Sequence, residues 1–186
     1  MRGLKMISTG RCLPWRSVTN KDMSELVETN DEWIFSRTGI RTRRICGEET
    51  AADLSAGAAQ QAMERAGIRS EELGACVVCT ITPDYLAPSE ACLLQRRLGL
   101  PEDIPCFDLN AGCTGFLYGL QVIRGLLLQS PRRYALLIGA EVLSRITDFA
   151  DRSTCVLFGD GAGAAVRTLE EQAVWASTLG ARGEEE

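Results

Sequence analysis

The stretch that decides the fold lies in the middle of the chain and reads Pro105-Cys106-Phe107-Asp108-Leu109-Asn110-Ala111-Gly112-Cys113-Thr114-Gly115-Phe116. An apolar run ends in a turn of small residues, and the turn places Cys113 at the predicted start of a helix. The first N–H groups of a helix are unpaired and carry partial positive charge, so they stabilise a thiolate. Cys113 is therefore a candidate nucleophile. The alternative is a small, buried, inert residue, which is the common state of a free cysteine.

The composition argues against several classes of protein. The 186 residues are 45% hydrophobic and 24% charged, which is ordinary for a globular domain. A net charge of −5 argues against nucleic-acid binding. We find no apolar run of membrane-spanning length and no signal-peptide pattern at the N-terminus, so we expect a cytoplasmic protein without a membrane span.

The cysteines are expected to be reduced thiols. Most of the eight lie within apolar runs, and no export signal accompanies them. Cys76 and Cys79 have the spacing of a redox or metal motif, but they belong to a β-branched run that predicts a buried strand. Residues three apart on a strand face opposite sides, which disfavours a shared metal or disulfide. The sequence has no histidine, so we predict no metal site and no Cys/His pair.

Strand and helix patterns alternate along the chain and predict an α/β fold with a mostly parallel sheet. Predicted strands cover residues 4–10, 75–81, 104–109, 134–139 and 164–169, with a further one possible at 174–179. Predicted helices cover 19–28, 50–66, 89–98 and 113–129, and Thr29 opens another in a Thr-x-x-Glu capping pattern. The helix at 113–129 is apolar nearly all round, which predicts a central helix buried on most sides. The glycine-rich stretch 158–166 predicts a tight turn into a strand rather than a phosphate-binding loop.

Four arginines stand close together in this acidic protein: Arg37, Arg41, Arg43 and Arg44. Guanidinium groups bind phosphate oxygens in pairs, so the cluster is consistent with an anion contact. A solvated loop is the commoner origin of such a run of charges. The residues alone leave both interpretations open.

Four motifs in order resemble the β-ketoacyl-[acyl-carrier-protein] synthase III family, whose fold is thiolase-like. They are Thr29-x-Asp31-Glu32-Trp33-Ile34 with Arg37-Thr38-Gly39-Ile40, Asn110-Ala111-Gly112-Cys113-Thr114-Gly115-Phe116, Asp151-Arg152, and Phe158-Gly159-Asp160-Gly161-Ala162-Gly163-Ala164. The resemblance runs from residue 4 to the end of the chain. It identifies residues 1–186 as an N-terminal thiolase-like half-domain, a layered sheet whose buried central helix carries the nucleophile.

The resemblance implies a role for several residues. Cys113 matches the cysteine that accepts the acyl group, and Trp33 with Arg152 matches a pair that sandwiches the adenine of coenzyme A. The remaining matches are Thr29 beside the same base, Arg37 near the coenzyme A phosphates, and Phe158 and Ala87 at the acyl pocket. A bulky aromatic often stands at the position of Ala87 in this family, at a dimer contact. The smaller side chain suggests a longer or branched acyl primer.

The implied activity starts fatty-acid synthesis. An acyl-CoA loads Cys113, and malonyl-[acyl-carrier-protein] then loses carbon dioxide and attacks the thioester. The resemblance implies acyl-CoA as a substrate, no permanently bound cofactor, malonyl-[acyl-carrier-protein] as partner, and a homodimer in the full-length form. A related acyltransferase of specialised metabolism or of the hydroxymethylglutaryl-CoA synthase type, and a non-catalytic scaffold subunit, are the alternatives.

One departure limits this prediction. The family uses a histidine and an asparagine from a C-terminal half, and this sequence has no histidine. We therefore expect that the C-terminal half is absent from this chain. We also expect that the chain alone exposes apolar surface and does not catalyse the condensation.

Overall fold

A five-stranded mixed sheet forms the centre of the fold in the computed structural model, which describes residues 2–183. Its strands are β1 (Gly3–Cys12), β4 (Leu73–Cys79), β5 (Cys106–Leu109), β6 (Tyr134–Val142) and β7 (Asp160–Glu170), in the order β1-β7-β6-β4-β5. The β4 strand pairs in parallel with β5 and β6, whereas β7 is antiparallel to both β1 and β6. Four strands therefore run in one direction, as the alternating pattern predicts.

Helices cover both faces of this sheet. On one face α3 (Ala51–Ala66) and α4 (Glu90–Leu98) enclose the larger apolar core, and on the other face lies α5 (Gly115–Gln129). Thr50 caps α3 through a complete capping box and Gly67 ends it in the left-handed conformation, as the sequence indicates. Ser89 caps α4 by accepting the N–H of Cys92, and Gly99 ends it in the left-handed conformation. None of the helices described within residues 2–183 combines the length and apolarity of a membrane span.

A smaller layer stands beside the main sheet. It consists of β2 (Ser17–Thr19), α1 (Asn20–Met23), α2 (Asp31–Thr38), β3 (Thr42–Arg44) and the short α6 (Arg152–Cys155), around an apolar cluster that includes Met23 and Ile34. The strands β2 and β3 pair in antiparallel fashion as a separate ribbon. Three 3₁₀ turns complete the described elements: Ser70–Glu72, Gly112–Thr114 and Leu143–Arg145.

Several predicted boundaries are wrong. The helix expected at 19–28 is only α1, because Ser24 ends it after four residues. Asn30, not Thr29, caps α2, since the Asn30 side chain accepts the N–H of Trp33 at 2.8 Å. Residues 174–179 do not form a strand. The acidic end at 184–186 lies outside the described residues.

The helix α5 is less buried than its composition predicts. Gly115, Gly119, Ile123 and Leu127 form its buried stripe, whereas Leu117 is 58% exposed. Helix spacing brings only this stripe onto the sheet, because residues four apart share one face. Gly119 lets the Leu137 side chain approach α5 closely, since a Cβ at Gly119 would lie 2.6 Å from Cδ1 of Leu137.

Candidate active site

The candidate nucleophile lies in the turn between β5 and α5. Cys113 is exposed in the 3₁₀ turn Gly112–Thr114, directly before the first residue of α5. Gly112 has φ +52°, a left-handed conformation that suits glycine. The Thr114 hydroxyl donates to the carbonyl of Ala111 at 2.8 Å and holds the turn. The predicted helix begins two residues too early, at Cys113 and not at Gly115, so Cys113 lies in the turn just before the N-terminal end of α5.

Cys113 opens into an apolar cavity of about 620 Å³. The cavity lies between the carboxyl ends of the parallel strands, the start of α5 and the segment from residue 143 to 158. Its lining residues are Cys79, Ile81, Gly112, Cys113, Phe116, Gly139, Ala140, Glu141, Leu143, Ile146, Thr147, Asp148, Thr154 and Phe158. Apolar clefts with few polar groups are typical of small-molecule sites. The structure thus brings Phe158 and Cys113 to one cavity, as the sequence predicts.

A second cysteine in the cavity is chemically different. Cys79 is buried, and its Sγ donates to the carbonyl of Gly115 at 3.3 Å. Burial, with a smaller contribution from the carboxylates of Asp108 and Glu141, raises the pKa of Cys79 to about 11. Its thiol is therefore protonated near neutral pH, and Cys113 is the exposed thiol of this cavity.

Glu141 is a cavity residue that the sequence reasoning missed. Its carboxylate accepts from the N–H of Ile81 at 3.0 Å and from the hydroxyl of Thr82. The Thr82 oxygen in turn accepts the N–H of Val142 at 2.8 Å. Glu141 thereby ties the end of β6 to the segment that follows β4. A glutamate at the end of an apolar strand is the signal that was available in the sequence.

The structure brings together three of the residues that the resemblance assigns to coenzyme A. The Arg152 guanidinium lies 4.2 Å from the centroid of the Trp33 ring, and that of Arg37 lies 4.9 Å from it. Trp33 and Arg37 are one helical turn apart on α2, whereas Arg152 begins α6. Thr29 precedes α2, and its hydroxyl is buried and unpartnered among the described residues. Trp33, Arg37 and Arg152 therefore form one cluster, and Thr29 lies two residues before the helix that carries two of them.

The other arginines have separate environments. Arg43 is buried and donates to Val18, Asn20 and Val156, at 3.3, 2.8 and 3.2 Å respectively. Arg44 donates to the carbonyls of the segment at 14–15, and Arg41 stacks on Phe35 with 3.9 Å to the ring centroid. Each of the three thus has an intramolecular partner, so Arg37 is the member of this cluster that belongs with Trp33 and Arg152.

Ala87 does not line the cavity of its own chain. It lies exposed in the loop before α4, next to Leu86, which is fully exposed. Asp84 anchors the start of this loop by accepting the N–H groups of Ala51 and Ala52, both at 3.0 Å. The tip of this loop is therefore exposed at the surface of the chain.

The ionisable side chains of this site do not form a metal-binding cluster among the described residues. Across residues 2–183, His, Cys, Asp and Glu side chains form no group of three or more that is suited to hold a metal ion. The polar groups of the cavity wall, such as Glu141, instead bond to the protein's own backbone and hydroxyl donors.

The comparisons with known proteins agree on one family. The family model described as 3-oxoacyl-[acyl-carrier-protein (ACP)] synthase III matches residues 107–183. A β-ketoacyl-[acyl-carrier-protein] synthase III of Clostridium beijerinckii is 49% identical over 171 residues, which is 92% of this chain and 53% of that protein. The chain thus spans about half the length of the curated relatives it matches.

Solved structures give the same result. The 3-oxoacyl-[acyl-carrier-protein] synthase III of Aquifex aeolicus superposes with a TM-score of 0.86 at 45% identity, covering 91% of this chain and 55% of that one. The priming β-ketosynthase of the R1128 polyketide pathway superposes with a TM-score of 0.86 at 34% identity, covering 91% and 51% respectively.

Fold and site together define the class of thiolase-like α/β proteins that present a cysteine where a strand meets a helix on the sheet. Within that class, the chain belongs to the β-ketoacyl-[acyl-carrier-protein] synthase III family.

Proposed function

We propose that this chain is the acyl-loading part of a β-ketoacyl-[acyl-carrier-protein] synthase III, with acyl-CoA as its substrate. The observation that carries the proposal is the exposed Cys113 thiol at the N-terminal end of α5, facing an apolar cavity. The proposal includes the decarboxylative condensation with malonyl-[acyl-carrier-protein] that starts fatty-acid synthesis, performed by the whole enzyme in the cytoplasm as a homodimer. No permanently bound cofactor is part of it.

Loading is a thioester exchange. The Cys113 thiolate attacks the carbonyl carbon of the acyl-CoA, and the tetrahedral intermediate expels coenzyme A, which takes up the proton. The positive end of the α5 dipole lies next to Cys113 and favours the negative charge that develops on the carbonyl oxygen during the attack. Phe116 and Phe158 line the cavity and offer the acyl chain an apolar environment.

The short helix α6 connects the two halves of this proposed site. Arg152 at its start stacks on Trp33, while Thr154 two residues later lines the Cys113 cavity. In the free protein Arg152 covers the face of Trp33 at 4.2 Å, so an adenine between them requires Arg152 to swing outward. Arg37 lies on the same helix as Trp33 and is placed for the phosphates, and Thr29, whose buried hydroxyl has no partner among the described residues, precedes that helix.

Condensation needs groups that this chain does not supply. Stabilising the enolate formed by decarboxylation requires hydrogen-bond donors, which the family resemblance assigns to a histidine and an asparagine. The sequence has no histidine. We therefore propose that this chain by itself loads an acyl group on Cys113 but does not complete the condensation.

The primer is proposed to be longer or branched. Ala87 lies in an exposed loop and does not line the cavity of its own chain, which suits a contribution to the pocket of a second subunit. A methyl side chain there leaves more room than an aromatic ring. A strict preference for acetyl-CoA over branched or medium-chain acyl-CoA would contradict this part of the proposal.

Intact-protein mass spectrometry tests the loading step. The chain is incubated with acetyl-, isobutyryl- and octanoyl-CoA, and the adduct is located by peptide mapping. We expect one acyl group per chain on Cys113, none in Cys113→Ala, and slower loading in Trp33→Ala. Cys92→Ala is the matched control because Cys92 is also exposed but lies outside the cavity. Absence of any adduct on a folded chain would favour a non-catalytic scaffold.

A second candidate is a condensing enzyme of specialised metabolism. The observation in its favour is the similarity to the priming β-ketosynthase of the R1128 polyketide pathway, at 34% identity. Identifying the product that the active enzyme forms from acyl-CoA and malonyl-[acyl-carrier-protein] separates the two candidates. A β-ketoacyl-[acyl-carrier-protein] of fatty-acid synthesis supports the first candidate.

A further inference from the structure

Three cysteines outside the cavity lie close together on the α4 side of the sheet. Cys76 on β4 and Cys106 on β5 are directly paired in the parallel register of these strands, and both contact the core beneath α3 and α4. Cys92, on the first turn of α4, points its Sγ at the carbonyl oxygen of Cys106, 3.6 Å away. Cys76 is fully buried, Cys106 is partly exposed and Cys92 is exposed.

The two paired thiols are unequal. The two side chains interact, and this interaction lowers the pKa of Cys106 while it raises the pKa of Cys76. Cys106 is therefore the better thiolate of the pair, and it is also the one that solvent reaches. Cys76 is its directly paired neighbour on β4 and is fully buried.

We propose that Cys106 and Cys76 form a thiol oxidation site, in which hydrogen peroxide converts Cys106 to a sulfenic acid and Cys76 closes a reversible disulfide. In the first step the Cys106 thiolate attacks one peroxide oxygen, the O–O bond breaks, and one water leaves after proton uptake. In the second step the Cys76 sulfur attacks the Cys106 sulfur and displaces the hydroxyl as a second water. Two thiols and one peroxide thus give one disulfide and two waters.

The backbone allows this bridge without rearrangement. Adjacent strands lie about 4.7–4.9 Å apart, and disulfides span Cα separations of about 4.4–6.8 Å. The direct pairing of Cys76 with Cys106 therefore satisfies the distance requirement. Cys92 is the less suitable partner, since its sulfur is directed at the backbone carbonyl of Cys106.

Cys46 provides a comparison for the reactivity of Cys106. Cys46 is also partly exposed, but burial and the neighbouring Asp160 carboxylate raise its pKa to about 12. It also has no second thiol in hydrogen-bonding contact among the described residues. Cys46 is therefore a matched control: it is as accessible as Cys106 in class of exposure, but it is not readily a thiolate and has no contacting thiol in the described part of the chain to form a disulfide.

The experiment treats the reduced chain with hydrogen peroxide in small molar excess, blocks free thiols with N-ethylmaleimide, and maps linked peptides by mass spectrometry. We expect a peptide pair joined through Cys76 and Cys106, lost on treatment with dithiothreitol and retained in Cys92→Ser and Cys46→Ser. Because Cys113 is exposed and also oxidises, the assay is repeated in Cys113→Ala, where the same pair must form. This outcome does not depend on whether Cys113 accepts an acyl group.

Two variants separate the roles of the thiols. In Cys76→Ala, Cys106 should proceed to a dimedone-reactive sulfenic acid without a crosslink, and in Cys106→Ala the Cys76 thiol should remain unoxidised. Far-UV circular dichroism verifies that both variants are folded. A crosslink between Cys92 and Cys106, oxidation of Cys46 at the rate of Cys106, or no crosslink in the wild-type chain would each overturn the proposal.

Discussion

Replacing Arg43 by methionine tests how the layer that carries Trp33 and Arg152 is held together. Arg43 donates to the carbonyl of Val156, one residue after α6, and to the side chain of Asn20. Asn20 in turn donates to Asp31, the first residue of α2, at 2.8 Å. The buried guanidinium therefore joins the two helices whose ends bear the stacked side chains.

The hydrogen bonds of Arg43 give the size of the expected loss in the free energy of unfolding. Three hydrogen bonds from a charged donor contribute about 1.5 kcal/mol each, or about 4.5 kcal/mol in total. Methionine also removes the desolvation cost of a buried charge and of the unpartnered Nε, which raises the free energy of unfolding by about 1–2 kcal/mol. The net loss is about 3 kcal/mol. In a chain of this size that corresponds to a lower melting temperature by about 6–12 °C.

Urea unfolding followed by circular dichroism measures this loss, with Arg41→Met as the control. Arg41 is exposed and makes a cation–π contact with Phe35, which contributes about 0.5–1 kcal/mol. We expect Arg43→Met to be the clearly less stable variant and to weaken coenzyme A binding as well. Equal stability of the two variants, at unchanged m-values, would refute the reasoning.

Three further predictions concern the cavity and the core. Glu141→Gln should slow acyl transfer to Cys113 by about tenfold, because the wall beside the thiol loses its anchor; stopped-time mass spectrometry measures this. Gly119→Ala should cost about 1–3 kcal/mol in urea unfolding, since its Cβ would lie 2.6 Å from Cδ1 of Leu137. Burial raises the pKa of Glu90 above 4.5, so the stability it contributes is full below about pH 4.5 and is lost as pH rises through the folded pKa. Melting curves should therefore show Glu90→Gln stabilising at pH 7 and neutral at pH 4.

Each of these three predictions has a control or an outcome that would contradict it. Glu170→Gln removes an exposed glutamate that pairs with Lys5, and acyl transfer as slow in it as in Glu141→Gln would contradict a specific role. Gly125→Ala adds a methyl group to the same helix where nothing lies within 4 Å, so it should be neutral or stabilising. A stability gain for Glu90→Gln that is equal at both pH values would exclude a titration of this carboxyl.

The α/β alternation, the bounds of α3 and α4 and the turn before α5 were predictable from the sequence. Their signals are local: Thr50 and Gly67 meet the requirements of helix ends with their own backbone. The helix boundaries that were predicted wrongly lie where neighbouring residues compete for the same capping position. Thr29 and Asn30 both suit a helix N-terminus, and the structure gives the cap to Asn30, leaving the hydroxyl of Thr29 without a partner among the described residues.

The sequence by itself determined the class of fold, the position of Cys113 at the end of a helix, and the motifs that resemble the family. These follow from residues within a few positions of one another. Only the tertiary structure decided that Arg152 stacks on Trp33, that Arg43 is a buried tie, that Glu141 anchors the cavity wall, and that Cys76 faces Cys106. The physical reason is that these contacts join segments far apart in the chain. Strand register and helix packing bring such segments together, and no local pattern of residues encodes them.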